Sequence, residues 1–234
     1  MASQFKNRRE AGQLLAQKLK GYARQPNLLV LGLPRGGIPV AFEVAQALQA
    51  QLDVFLVRKL GVPDYQELAM GAIAPGGVRL VNWDTVEALR ISQAAVDAVI
   101  RKEERELARR EQLYRVGRPT LAVAGRGIIL VDDGLATGST MRAAVLALRQ
   151  QDPARIVVGV PVAAPSACNE LAEIVDEIVC AVTPQHFDSV GTWYEDFSQT
   201  TDAEVRGLLE RSAREWPEPS GNTPQRPPHE LYRR

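Results

Sequence analysis

Apolar and polar positions alternate along this chain in blocks of changing period. Residues 28–33 form a short, nearly unbroken apolar run, and 38–50 follow with an apolar pattern at helical spacing. Further apolar runs lie at 53–57, 128–131, 155–162 and 177–182. Runs of this length, bounded by turn residues, predict strands buried on both faces, as in a parallel sheet. Helical patterns fall between and around them, at 10–22 (Ala11, Leu14, Leu15, Leu19, Tyr22), from near Met141, at 165–174 and at 202–214. Strand, turn and helix in repeated order predict an α/β fold with a Rossmann-like three-layer core and a mainly parallel sheet.

One stretch interrupts that order. Residues 61–67 are polar and turn-rich and read as a mobile loop, and 72–81 read as a hairpin around Pro75-Gly76-Gly77. A long helix then runs from a capping Ser92 to about Tyr114. Its charge run, Arg101 to Glu106, reads as a solvated face, with Asp97/Arg101 and Glu106/Arg110 spaced for i,i+4 support. The apolar stripe is thin, which suits a helix lying over a sheet edge or against a second subunit. These blocks predict a single domain over 1–214. Its core is 28–60 and 119–183. A hood comes from 61–118, the N-terminal helix and 184–214. From 215 to 234 the chain is proline-rich and reads as a flexible tail.

Charge and cysteine content narrow the function classes. Twenty-eight basic residues balance 28 acidic ones, so binding through bulk charge to nucleic acid or a membrane surface is not expected. Cys168 and Cys180 match no zinc or redox spacing and fit a reducing compartment. No run reaches membrane-span length and residues 1–6 are not those of a signal peptide, so a cytoplasmic protein is expected.

The chemistry concentrates at Asp132-Asp133-Gly134-Leu135-Ala136-Thr137-Gly138-Ser139-Thr140, where an apolar strand ends in two carboxylates. Small residues follow, then hydroxyls, then a helix that Ser139 or Thr140 could cap. Backbone N–H groups, the helix dipole and the hydroxyls of Thr137, Ser139 and Thr140 all favour an anion there. Asp132 and Asp133 can accept hydrogen bonds from two vicinal hydroxyls. A sugar phosphate satisfies both halves. A P-loop is excluded, since Gly138 is followed by Ser139 with no lysine.

This stretch resembles the phosphoribosyl-pyrophosphate (PRPP) signature of the type I phosphoribosyltransferases. The resemblance implies that Asp132 and Asp133 hold the ribose hydroxyls and that residues 134–140 cradle the 5′-phosphate. Leu33-Pro34-Arg35-Gly36-Gly37 resembles the family's pyrophosphate loop, which implies a non-proline cis peptide within Leu33–Gly37, with Pro34–Arg35 the first candidate. Arg58 and Lys59 occupy the place of basic pyrophosphate ligands at the end of the next strand. More closely, the whole chain resembles a bacterial group within the family through Arg9-Glu10-Ala11-Gly12, Val57-Arg58-Lys59-Leu60-Gly61, Glu67-Leu68-Ala69-Met70-Gly71 and Trp193-Tyr194.

The activity implied is Mg²⁺-dependent transfer of 5-phosphoribosyl from PRPP to a nitrogenous acceptor, a nucleobase in kind, with release of pyrophosphate. The Mg²⁺ would be held mainly by PRPP oxygens, with Asp132 or Asp133 as the protein's contribution. Phe187, Trp193 and Tyr194 are the candidates to stack an acceptor ring. Asp64, Glu67 and His186 are the candidate general acids or bases. Family members that act on 6-oxopurines carry an acid where this chain has Ala136, so the resemblance does not point to hypoxanthine or guanine. A homo-oligomer is expected. A non-catalytic PRPP or nucleotide sensor, and a hydrolase or phosphorylase of phosphoribosyl compounds, are alternatives built on the same cradle.

Overall fold

A computed structural model describes residues 4–63 and 65–216. In chain order the elements are α1 (Arg8–Lys18), β1 (Leu28–Gly32), α2 (Gly37–Leu48), β2 (Gln51–Val54), β3 (Arg58–Val62), β4 (Tyr65–Ala74) and β5 (Val78–Val81). There follow α3 (Trp83–Ala88), α4 (Gln93–Arg115), β6 (Gly127–Val131), α5 (Ser139–Arg149), β7 (Arg155–Val162), α6 (Pro165–Ala172), β8 (Glu177–Val182) and α7 (Asp202–Glu215).

Five strands form one parallel sheet in the order β2-β1-β6-β7-β8. Successive residues point to opposite faces, and both faces are covered. Val30, Ile129 and Val157 pack with α1, α2 and α7, whereas Leu29, Leu31, Ile128, Leu130 and Val158 pack with α5 and α6. That double covering is why the strands read as continuous apolar runs. From β1 the chain crosses to β2 at one edge, and after the insertion β6 lies on the other side of β1. The sheet therefore reverses its winding between β1 and β6, where a crevice opens at the carboxyl ends.

Residues 58–81 form a separate antiparallel sheet, β3-β4-β5, with Arg58 opposite Ile73 and Ala74 opposite Val78. Two expectations change here. The second core strand stops at Val54, because its ladder partner β1 ends at Gly32. Phe55 and Leu56 remain buried, but Arg58 and Lys59 open the hood sheet instead of closing a core strand. The described part of 61–67 is not an open loop: Gly61 and Val62 end β3 and residues 65–67 begin β4, and buried Leu60, Val62 and Met70 hold the two strands down, with bulges on either side of Gly61. The candidate Asp64 lies outside the described residues, and so does the Glu67 side chain. The tail from 217 onward also lies outside them.

The hairpin at Pro75–Gly77 and the long helix match the sequence reading. Ser92 caps α4 by accepting from Ala95 N at 3.3 Å. The short α3, capped by Asn82, carried no recognisable pattern. The charged face of α4 is not wholly solvated: Glu103 is buried and paired with Arg58, and Glu104 pairs with Arg79. No helix among the described residues is long and apolar enough to cross a membrane.

The C-terminal end of α4 is pinned to the core through Asp53 on β2. This side chain is 9% exposed, accepts from Val54 N at 2.7 Å, pairs with Arg115, and lies 3.6 Å from Arg118. Removing it leaves a buried guanidinium without its partner. Asp53→Ala is expected to lower stability by about 3 kcal/mol in urea unfolding. A loss within about 0.5 kcal/mol, the scale of an ordinary surface change, would contradict that anchoring role.

Candidate active site

β1 and β6 run side by side in register, Gly32 opposite Val131, so the loops that leave them start at the same height. From β1 the chain turns through Leu33, whose N–H donates to Val131 O at 2.9 Å, into Pro34–Gly37. The Pro34–Arg35 peptide is cis, as the resemblance implies. Gly37 N donates to Leu33 O at 3.0 Å and starts α2. From β6 the chain enters Asp132 and Asp133.

The two loops touch. A Cβ on Gly37 would stand 2.8 Å from Val131 O and 3.0 Å from Asp132 Oδ1. One on Gly36 would overlap Asp133 Oδ2. The pair of glycines is thus required by space, since Gly36 has an ordinary right-handed φ of −62°.

Residues 134–140 divide into an anchor and an open cradle. Leu135 is buried. Its N–H donates to Val162 O at 2.9 Å and its carbonyl accepts from Ala164 N at 2.9 Å. Leu135 therefore fixes the loop to β7, and its N–H is not available to an anion as the sequence reading had it. A Cβ on Gly134 would lie 2.5 Å from Val190 Cγ1, so this residue too serves close packing. Ala136, Thr137 and Thr140 are exposed.

Neither Ser139 nor Thr140 caps α5. The cap is Gly138, in the left-handed region at φ 68°, and it supplies no side-chain bond. The first-turn N–H groups of an 11-residue helix are consequently left open, apart from a long 3.4 Å approach of Ser139 N to Thr137 Oγ1. Open donors at a helix N-terminus are an anion site.

The acid pair is held from the other side by the chain termini. Phe5 N donates to Trp193 O and Glu195 N to Phe5 O, each at 2.8 Å, which lays the N-terminal strap along residues 193–195. Asn7 then caps α1, and Arg8 on its first turn reaches Asp133, Nε to Oδ2 at 2.8 Å. Arg8 also donates to Ser198 O at 2.8 Å and stacks over Phe197 at 4.0 Å. Tyr194 donates to Asp133 O at 2.5 Å. Arg8 was not among the residues singled out from sequence. No motif marks it, and only the folded strap brings α1 to β6.

Burial pushes the Asp132 carboxyl well above the usual carboxylate range, and the neighbouring Asp133 charge pushes it further. Burial also raises Asp133, and the charge and hydrogen bond of Arg8 oppose that rise. Burial first, then the Asp133 charge, raises the Tyr194 hydroxyl. These are costs that ligand hydroxyls donating to the carboxylates would offset.

Other candidates fall as follows. Arg35 faces Asp202 at the start of α7, at 3.8 Å, and Tyr114 donates to the same carboxylate. Burial and that hydrogen bond raise the Tyr114 hydroxyl to about 12. Arg58 is engaged by Glu103, Nε to Oε2 at 2.7 Å, so it reaches the crevice as one half of an ion pair. Lys59 lies beside it on β3.

Tyr194 does not present a ring face to an acceptor. Phe5 and Phe197 pack on it at 5.4 and 5.0 Å. Phe187 and Trp193 are half-buried in the same cluster with Phe5 and Val162. His186 is exposed and makes no hydrogen bond or ion pair among the described residues.

The raised carboxyl groups set the sign of a pH dependence. Their folded-state values lie above the unfolded ones, so the pair adds stability below about pH 4 and loses it as pH rises through the raised values. Asp132→Asn removes one charge and keeps the oxygen that accepts from Asp133 N at 2.9 Å. It is expected to be more stable than the parent near pH 8, on the order of 1 kcal/mol, with the gain shrinking toward about pH 4. Denaturant unfolding across that range measures it. Lower stability of the variant near pH 8 would contradict the account.

Known proteins resemble this chain. Residues 2–190 match the family model of the phosphoribosyl transferase domain. The chain is 46% identical over 214 residues to "Putative phosphoribosyl transferase Rv0571c" of Mycobacterium tuberculosis H37Rv, and equally to its counterpart in strain CDC 1551. That alignment covers 92% of this chain and 48% of the relative, so the chain spans about half the length of the curated relatives it matches. Among solved structures it resembles TT1426 from Thermus thermophilus with a TM-score of 0.80 and 42% identity, over 89% of this chain and 98% of that one. The chain belongs to the phosphoribosyl transferase domain family.

Proposed function

We propose that the protein transfers a 5-phosphoribosyl group from PRPP to a nitrogenous acceptor, a nucleobase in kind, and releases pyrophosphate. The observation that supports this most is the contact between the two crevice loops. Gly36 and Gly37 press against Asp132 and Asp133, so an anion on the first loop and a diol on the second would belong to one molecule. The open N-terminus of α5 stands where a third group, a phosphate, would complete that molecule.

Substitution at the anomeric carbon builds positive character in the sugar and negative charge on the departing diphosphate. Asp132 and Asp133 would fix the ribose through its hydroxyls. The Arg35 side chain, with the backbone N–H groups of Arg35 and Gly36, would receive the charge that leaves. Asp202 keeps Arg35 beside the loop without a tight bond at 3.8 Å, so the guanidinium is free to turn to a phosphate.

Among the described residues, no group of three or more His, Cys, Asp or Glu side chains converges as a metal site. The donor set fits a Mg²⁺ carried mainly on substrate oxygens, with Asp132 or Asp133 as the protein's share. Bound there, the ion would neutralise charge on the diphosphate.

Replacing both Asp132 and Asp133 by Ala is expected to abolish PRPP binding in isothermal calorimetry while the circular dichroism spectrum is kept. Undiminished affinity would overturn the site. Pyrophosphate release from PRPP, assayed with a panel of bases, then defines the activity. Base-dependent release is the expected result. Base-independent release would mean a hydrolase, and binding without release a sensor.

A further inference from the structure

The N-terminal helix α1 brings Arg8 to the seam between the two crevice loops. Its Nε donates to Asp133 Oδ2 at 2.8 Å, and a Cβ on Gly36 would stand 3.2 Å from the same nitrogen. Nη1 donates to Ser198 O at 2.8 Å, and the guanidinium carbon lies 4.0 Å from the centre of the Phe197 ring. Two hydrogen bonds in different directions and a ring contact leave the guanidinium plane little freedom to turn. The side chain as a whole is 12% exposed.

One end of that plane is unused. Nη2 makes no hydrogen bond among the described residues. Buried side-chain nitrogens without a partner are confined there to Trp193 and Trp216, so Nη2 is open to solvent. In a planar guanidinium one N–H of Nη2 runs parallel to the Nε–H. Nη2 therefore points the same way as the bond to Asp133 and presents its donor beside that carboxylate. An acceptor and a donor thus lie side by side. A hydroxyl satisfies both at once, donating to the carboxylate and accepting from Nη2. A phosphate or carbonyl oxygen only accepts and has nothing to give Asp133. An ammonium only donates and is repelled by Arg8.

We propose that the Arg8–Asp133 pair reads one ribose hydroxyl from both sides, which makes Arg8 a specificity-determining residue of the sugar site. The inference rests on the reading that the acid pair holds the ribose, and it assigns the second partner of one hydroxyl. Asp133 neutralises Arg8, so the pair adds no net charge beside a sugar that turns positive during transfer. A sugar phosphate lacking that hydroxyl leaves a carboxylate and a guanidinium unmatched, so the pair selects ribose over the corresponding deoxyribose.

The test titrates ribose 5-phosphate, 2-deoxyribose 5-phosphate and 3-deoxyribose 5-phosphate into the full chain by calorimetry. Each deoxy ligand should bind the parent about tenfold more weakly than ribose 5-phosphate, or worse. In Arg8→Gln the penalty for one of them should fall to about threefold or less, while the other keeps its penalty. A residue that only steadied the fold or Asp133 would weaken all three ligands together and leave both ratios as they were. Arg8→Lys keeps the charge without the planar fork, is read in the same way, and decides alone if Arg8→Gln does not fold.

Arg9→Gln, an exposed change of equal charge on the same turn, should leave both penalties unchanged. Penalties that are present in the parent and unchanged in the folded Arg8 variant overturn the proposal alone. A parent that binds all three ligands equally overturns it together with the reading of the acid pair.

Discussion

The parallel pairing of β1 with β6 is the constraint on which the rest depends. Gly32 and Val131 end their strands opposite each other, and the sheet reverses its winding at that seam. Two loops of different chemistry are thereby delivered to one crevice. One carries a cation, Arg35, and the other is acidic. Only residues without a Cβ let them meet, since Gly36 abuts Asp133 and Gly37 abuts Val131 and Asp132. The site is a property of strand order before it is a property of any side chain.

Holding two carboxylates at that seam disfavours their charged forms, and the surrounding structure answers the cost in part. Arg8 is bound to Asp133, to Ser198 O and to the face of Phe197, while Tyr194 secures the Asp133 carbonyl. The N-terminal strap and the C-terminal aromatic segment thus meet above the sheet to position one acid. On the opposite side, α4 is pinned at Asp53 and lines, with β3, a cavity that Leu33 and Pro34 border. The β1–α2 loop, β3 and α4 thus border one cavity.

Much of this was legible in the chain itself. Continuous apolar runs identified four of the five core strands closely, because burial on both faces leaves little room for polar residues. Asp132–Thr140 was legible because strand end, acid pair and small-residue turn are contiguous in sequence. Contacts made only by folding were not. Arg8 lies far from Asp133 along the chain and carries no motif. Glu103 reads as one more charge in a run until β3 supplies Arg58. Residues 55–57 looked like strand because Phe55 and Leu56 are buried, although the ladder had already run out at Gly32. Tyr194 looked available for stacking because sequence does not reveal that Phe5 and Phe197 pack on it.

The central claim is that the two loops form a single binding surface through their contact at Gly36. The most direct measurement is calorimetric titration of PRPP into Gly36→Ala, compared with the parent protein. The added methyl group would displace Asp133 or the cis-peptide loop. The account predicts at least about a hundredfold loss of affinity, because both halves of the ligand site lose their relative position, with the fold retained by circular dichroism. Affinity equal to that of the parent would contradict it.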